Sequence, residues 1–419
     1  ISGGTRRAFE ALFSHRAEVL PAGPFRRSTM LPGMPEGPLR LLILAAQYFP
    51  AVGGSEAQTR LLAREFKRRG LNVEVWTRRL EATHPPLETL DGLHVRRLGP
   101  IFASRSPWMR RAERLAFVVR LYRDLRAGAG RFDAILANQL QYPAVAAVLA
   151  GRGAGVPVAA RSASSGPGSE MHRREWPFRI QRSVLVGRLD LVVAMGPDTR
   201  ADCQRAGFAP ERITTIPNGI EIRSLDPSLR RAAPPLRALW LGKFRKEKRA
   251  ELAVRAWREA GIGGALILVG DGEERAALDS LVVVPSDGPG TVDMKGLLED
   301  PWPELLAAHL FLQSSDTEGL SNALLEAMAA GCSIVATDVG ETRFVLGGAG
   351  VGEAPAGSFF RAEARCLCRT RDVTARAAAI RSSSCSPSLP SAEPPITLAS
   401  RSRVSRRDPA AAATKASTE

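Results

Sequence analysis

The sequence predicts an α/β protein made of two tandem, Rossmann-like, doubly wound domains, with a degenerate, disordered C-terminal tail. Two observations carry that prediction. Short apolar runs of strand length alternate with helical stretches, and one turn-rich segment near the middle interrupts the alternation before it resumes. The chain has 419 residues, enough for two buried cores.

Residues 1–37 are polar, contain Arg and Pro, and lack clean periodicity, so they are expected to be a disordered leader. Met34 stands just ahead of the first strand and is the expected natural start. The first domain spans 38–216. Leu41–Ala46 is a continuous apolar run, the mark of a strand buried on both faces. Ser55 and Gln58 fit a capping box at the next helix, in which Leu62 and Phe66 share a face and which Gly70 ends. Asn72–Trp76 is the following strand, completing a βαβ unit. Further strands are expected at His94–Leu98, Asp133–Ala137, Pro157–Ala160, Leu191–Ala194 and Ile213–Ile216, with helices such as Arg110–Leu125 and Ala144–Ala150 between them.

Residues 217–235 carry Pro-Asn-Gly, Asp-Pro and Pro-Pro turns and read as the interdomain linker. The second domain, 236–351, repeats the alternation. Its strands are Leu236–Leu241, Ala265–Val269, Val292–Lys295, Leu310–Gln313 and Ser333–Thr337; its helices are 247–259, 272–282, one from about Pro303, and 321–330. Ala253, Ala256 and Trp257, like Leu324, Ala327 and Met328, show the three- and four-residue helical return. Residues 352–419 turn to Ser, Ala, Arg and Pro and are expected to be a disordered tail; a shifted reading frame would give similar text.

Composition narrows the function classes. Hydrophobic residues are 44% and charged residues 24%, which excludes wholesale disorder. Apolar runs reach about six to eight residues, far short of the roughly 20 that a membrane span needs, and no signal-peptide core opens the chain. The net charge is +15, and only six of the 58 basic residues are lysine. Such a chain tends to meet phosphates, although a solvated surface shaped by GC-rich codons explains the same bias. No module that reads nucleic acid is present and aromatics are 6%, so no nucleic-acid partner is expected. Five cysteines without a CxxC pair, and five histidines none of which pairs at ligand spacing, point to no disulfide framework and no metal site. The expected location is the cytoplasm. The basic stretch Arg105–Arg126, with Trp108, Leu115, Phe117, Val118 and Leu121, reads as a core-packed helix with an exposed basic face; resting on an anionic inner membrane surface is the alternative.

Three segments carry chemistry. Gly53-Gly54 stands between a strand's carboxyl end and a helix's amino end, where open α/β sheets bind ligands. A plain tight turn fits as well. Gly242-Lys243-Phe244-Arg245-Lys246-Glu247-Lys248-Arg249 follows the first strand of the second domain and is strongly cationic, so Lys243 and Lys248 can converge on one diphosphate; a solvated basic turn is the bland reading. Glu318-Gly319-Leu320-Ser321-Asn322 leads into a helix that carries Glu326, with Ser321 or Asn322 as cap and first-turn amides free for an anion. Carboxylates accept bonds from vicinal hydroxyls, so the layout suits a ligand with hydroxyls at both ends and phosphate between. Ordinary compensation of a helix dipole gives similar text.

In order and spacing, the Gly53-Gly54 loop, Pro217-Asn218-Gly219-Ile220, Gly242-Lys243 to Lys248, and Glu318 to Glu326 resemble the retaining glycosyltransferases of family 4, which have the GT-B architecture. Glu326-Ala327-Met328-Ala329-Ala330-Gly331 and Thr337-Asp338-Val339-Gly340 share the likeness, which covers about Leu39 to Val351. The resemblance implies sugar transfer from a nucleotide-diphosphate sugar, with retention, to a glycan or lipid-linked acceptor of cell-envelope or polysaccharide type, without cofactor or metal. It implies that Lys243, Lys248 and Glu318 are catalytic. It implies that Gly53, Gly54, Gly242, Gly319, Leu320, Ser321, Asn322 and Glu326 bind the donor, Glu326 through its ribose hydroxyls. Where relatives carry a histidine near the donor sugar, this chain reads Arg161-Ser162-Ala163-Ser164-Ser165-Gly166, and the His-x-His text of the preceding strand is Asn138-Gln139-Leu140. His309 stands where relatives often have aspartate and reads as structural. The family's bracing C-terminal helix has no counterpart after Val351, so impaired activity is expected. A folded but inactive nucleotide-sugar-binding protein and a sugar-nucleotide epimerase of the same architecture fit the same residues.

Overall fold

The computed structural model describes residues 37–51, 53–102, 106–166, 169, 172, 175–221, 223, 235–261, 263–283, 289–347 and, for the backbone, 359–362. The leader, most of 222–234 and the rest of the tail lie outside the described residues. So does the expected lack of a bracing helix after Val351.

The first half holds strands β1 (Arg40–Ala45), β2 (Asn72–Arg78), β3 (Leu87–Leu90), β4 (Leu93–Leu98), β5 (Ala134–Ala137), β6 (Val158–Arg161), β7 (Leu191–Ala194) and β8 (Ile213–Thr215). Its helices are α1 (Gly54–Arg68), α2 (Pro107–Gly128), α3 (Tyr142–Ala154), α4 (Trp176–Arg188) and α5 (Pro197–Arg205). The strands form one sheet in the order β3-β4-β2-β1-β5-β6-β7-β8, and every pair but the β3–β4 hairpin is parallel. Helices cover both faces, which is why β1 is a continuous apolar run. Leu42 and Leu44 join Phe117, Leu121 and Leu125 of α2 in one core layer. Leu41 and Ile43 join Ala63 and Phe66 of α1 in the other.

The second half holds β9 (Leu236–Leu241), β10 (Gly264–Val269), β11 (Gly290–Gly296), β12 (Leu310–Gln313), β13 (Ser333–Thr337) and β14 (Phe359–Ala362). Between them run α6 (Ala250–Glu259), α7 (Arg275–Val283), α8 (Trp302–Ala307), α9 (Asn322–Ala329) and α10 (Thr342–Val345). The sheet order is β11-β10-β9-β12-β13-β14. Trp257 and Val254 of α6 pack on Trp240 and Leu266 from one side; Leu324 and Ala327 of α9 pack on Leu239 and Phe311 from the other.

Three local readings are corrected. Ser55 does not cap α1: the helix begins at Gly54 with Gly53 as cap residue, Ser55 Oγ accepts from Asn138 Nδ2 (2.8 Å), and Gln58 Nε2 donates to the Gly219 carbonyl. A β-hairpin precedes β4. Asp91 and Gly92 both have positive φ (52° and 70°), the geometry of a two-residue turn whose twist matches the strands. Within the tail, 359–362 adds a strand antiparallel to β13.

Both sheets reverse strand order beside their first strand, at β1/β5 and at β9/β12. Such a switch point opens a crevice beyond the strands' carboxyl ends. The Gly53-Gly54 loop and Asn138 flank the first switch. The Lys243–Lys248 segment and the Glu318 loop flank the second.

Candidate active site

A cavity of about 610 Å³ lies where the two switch points face each other. Gly53, Gly54, Gly242, Lys243, Lys248, Glu318, Gly319, Leu320, Ser321 and Asn322 all line it. Glu326 does not. It lies about one turn beyond Asn322 along α9, half-buried, beside the ion pair of Arg223 and Asp300 (2.7 Å). Burial pushes its carboxyl up to about 7, with Arg223 acting against the rise and Asp300 adding to it.

The loop after β9 is fixed by the loop after β12. Ser314 Oγ accepts from the Trp240 indole (3.1 Å) and donates to the Arg249 carbonyl (2.7 Å). Asp316 N donates to Glu247 O (2.8 Å), and Arg249 binds the Asp316 carboxylate (2.9 Å). These bonds hold Lys248 so that its Nζ donates to Glu318 Oε1 at 2.6 Å; the Ser315 hydroxyl donates to the same oxygen at 2.7 Å. Glu318 is thus a nearly buried, doubly bonded carboxylate whose second oxygen stays available. Lys243 is not part of that pair. Burial lowers its ammonium, and Glu56, in the first turn of α1, opposes the effect.

Ser321 caps α9, its Oγ accepting from Leu324 N (3.3 Å), while the side chain of Asn322, the first residue of the helix, donates to Gly54 O (2.8 Å). The amides that open a helix have no partner within it, so this end presents donors to the cavity. Gly319 has no room for a side chain: a Cβ there would collide with the Ala163 carbonyl and the Met195 methyl of the first half.

The halves meet through a chain of polar bonds that the sequence did not announce. Arg161, at the end of β6, donates to Asn138 Oδ1 (3.3 Å) and to Asn218 Oδ1. Asn218 in turn donates to Leu320 O (3.0 Å) and Asn322 Oδ1 (2.8 Å). Ser165 N donates to Glu318 O (3.3 Å). Glu341, fully buried beyond β13, accepts from the Thr199 amide (2.7 Å) and so caps α5 of the other half. A local signal existed for Asn138 and Arg161: each is the polar residue that closes an apolar strand run in a doubly wound sheet. His309 Nδ1 accepts from Arg237 N (3.2 Å) between β12 and β9, a structural contact. Among the described residues no group of three or more His, Cys, Asp or Glu side chains is gathered as a metal site.

Two families match in tandem. The Glycosyl transferase 4-like domain covers residues 53–219, and Glycosyl transferases group 1 covers 235–383. The chain belongs to the GT-B glycosyltransferases. Solved GT-B-type structures share this fold at low identity. Sucrose-phosphate synthase from Thermosynechococcus elongatus is 20% identical, with a TM-score of 0.63 over 82% of this chain and 89% of that one. Anabaena HepE in complex with UDP-glucose is 17% identical, with a TM-score of 0.58 over 82% and 90%. WaaG, a glycosyltransferase involved in lipopolysaccharide biosynthesis, is 17% identical, with a TM-score of 0.53 over 81% and 90%. No curated protein sequence matches the chain. In this GT-B glycosyltransferase no helix among the described residues is long and apolar enough to cross a membrane.

Proposed function

We propose that the protein transfers a sugar, with retention at the anomeric carbon, from a nucleotide-diphosphate sugar to a glycan or lipid-linked acceptor of cell-envelope type. The carrying observation is that Lys243, Lys248, Glu318 and the opening turn of α9 line one cavity. As the sugar–phosphate bond breaks, negative charge grows on the departing diphosphate. Two ammonium groups and helix amides already in place stabilise that charge without reorganising, which is worth several kcal/mol in a partly desolvated site. Glu318, held by Lys248 and Ser315, offers its second oxygen to the hydroxyls of the donor sugar. Glu326, outside the cavity lining and about one turn beyond Asn322 on α9, would receive the ribose hydroxyls of a nucleoside that extends along that helix. That HepE has been captured with UDP-glucose and that WaaG serves lipopolysaccharide assembly support the donor and acceptor classes. The reading calls on no metal, because the lysines supply the positive charge.

The test is a screen of nucleotide sugars by thermal shift, followed by release of nucleoside diphosphate with and without acceptor, and NMR of the product anomer. Acceptor-dependent release with a retained anomer is expected. Turnover of donor without acceptor would make the protein an epimerase or hydrolase, and an inverted product would remove the retaining mechanism.

The same enzyme is proposed to rest on anionic membrane. Phe117 and Leu121 of α2 are core residues, whereas Trp108 and Leu115 are 67% and 65% exposed on a stripe with Arg111, Val119, Tyr122 and Arg126. Trp176 and Ile180 of α4 are exposed as well. Aromatic and basic side chains on one face suit a headgroup layer. Sedimentation with phosphatidylglycerol vesicles, but not phosphatidylcholine vesicles, is the expected result; equal sedimentation with both would remove the electrostatic reading.

A further inference from the structure

The wall of the cavity contributed by the first half carries three arginines: Arg78 at the end of β2, Arg114 in α2 and Arg161 at the end of β6. None of them has a carboxylate partner within ion-pair distance among the described residues. Several other arginines of the first half are matched: Arg40 with Asp133, Arg60 with Asp91, Arg97 with Glu88. Arg78 Nε is buried without any hydrogen-bond partner. Arg161 is almost wholly buried and held only by amide oxygens, and burial lowers its guanidinium to about 10. Arg78 and Arg114 both act electrostatically on the Tyr142 hydroxyl, which opens α3 on the same wall. The one carboxylate on this wall, Glu56, faces Lys243 on the opposite side.

Buried and half-buried cations without counter-charges are costly unless an anion arrives to complete them. The donor diphosphate is matched by Lys243 and Lys248 across the cavity, so it does not account for this second cluster. Resting on the donor assignment above, we infer that the acceptor is an anion, and that Arg78 and Arg114 hold its phosphate or carboxylate group while Arg161 adds positive charge behind it. The acceptor class is therefore a phosphorylated or uronic-acid-bearing glycan rather than a neutral one.

The test uses the full chain, first saturated with UDP and then without it, titrated by calorimetry or saturation-transfer NMR with glucose 6-phosphate, glucuronate and glucose. In the wild type one anionic probe is expected to bind about tenfold tighter than glucose or better, as charge-assisted bonds to two guanidinium groups require. Preference for glucose 6-phosphate assigns a phosphate ester, and preference for glucuronate a carboxylate. In the Arg78→Gln/Arg114→Gln double variant the preference should shrink to about twofold or less, with the same melting temperature and the same UDP affinity. Equal or absent binding of the three probes, or a preference that survives in the double variant, overturns the inference. The donor assignment is read separately, from UDP binding itself and its loss in Lys248→Ala.

Discussion

The two walls of the cleft solve the same electrostatic problem in opposite ways. On the second-half wall Lys248 is matched by Glu318, and the pair is locked by Ser314, Ser315 and the Asp316–Arg249 contact. On the first-half wall, among the described residues, Arg161 is matched only by amides, and Arg78 and Arg114 by no carboxylate. A lysine already paired with a carboxylate is preorganised before its ligand arrives. A charged wall keeps its free energy of pairing for the ligand. On the proposed assignments, the same fold thus holds a preorganised donor side and a side that awaits an anion.

The largest break in that contrast is expected from Lys248→Ala. It removes a cation from the leaving group and leaves Glu318 without its main partner, so turnover should fall by about 100-fold or more, measured as nucleoside diphosphate release. Asn218→Ala should act on stability instead. It deletes the amide that joins Arg161 to Leu320 and Asn322, and should cost about 2–3 kcal/mol in chemical denaturation. A loss under about 0.5 kcal/mol would show that the walls are not coupled through it.

Glu326 sharpens the donor side through pH. Its carboxyl sits near 7 in the free protein, above its unfolded range. The stability it contributes is present below about pH 4.5 and lost as pH rises through about 7, by at most about 3 kcal/mol. Ribose hydroxyls favour the ionised form, so donor nucleotide should bind about tenfold more weakly at pH 6 than at pH 8. Glu326→Gln should flatten that profile; a slope unchanged in the variant would detach Glu326 from the donor. The smallest effect is expected from Glu341→Ala, which uncaps α5 across the cleft and should cost about 1–2 kcal/mol. Glu341→Gln should recover most of it.

Much of this molecule was readable in advance where one element explains itself. Strands β9, β12 and β13 match their expected limits residue for residue, because buried parallel strands are predominantly apolar runs. The lysine and glutamate motifs were legible because each follows a strand at a sheet's carboxyl edge. The Asp91-Gly92 turn carries a local hairpin signal as well, but it sits between two short strands, Leu87–Leu90 and Leu93–Leu98, that interrupt the helix-and-strand alternation. Ser55 was misread because a capping box is a local rule, and Asn138, 83 residues away, claims its hydroxyl.

Sequence alone determined the two parallel sheets, the helices that cover them and the four segments at their edges, since apolar period and turn chemistry act within a few residues. Only the tertiary structure decided which polar groups meet across the cleft. Arg161 to Asn218, Asn218 to Asn322, and Glu341 to Thr199 join residues 57, 104 and 142 positions apart. Such bonds depend on how two finished domains face each other, and nothing in the local pattern of either partner encodes that geometry.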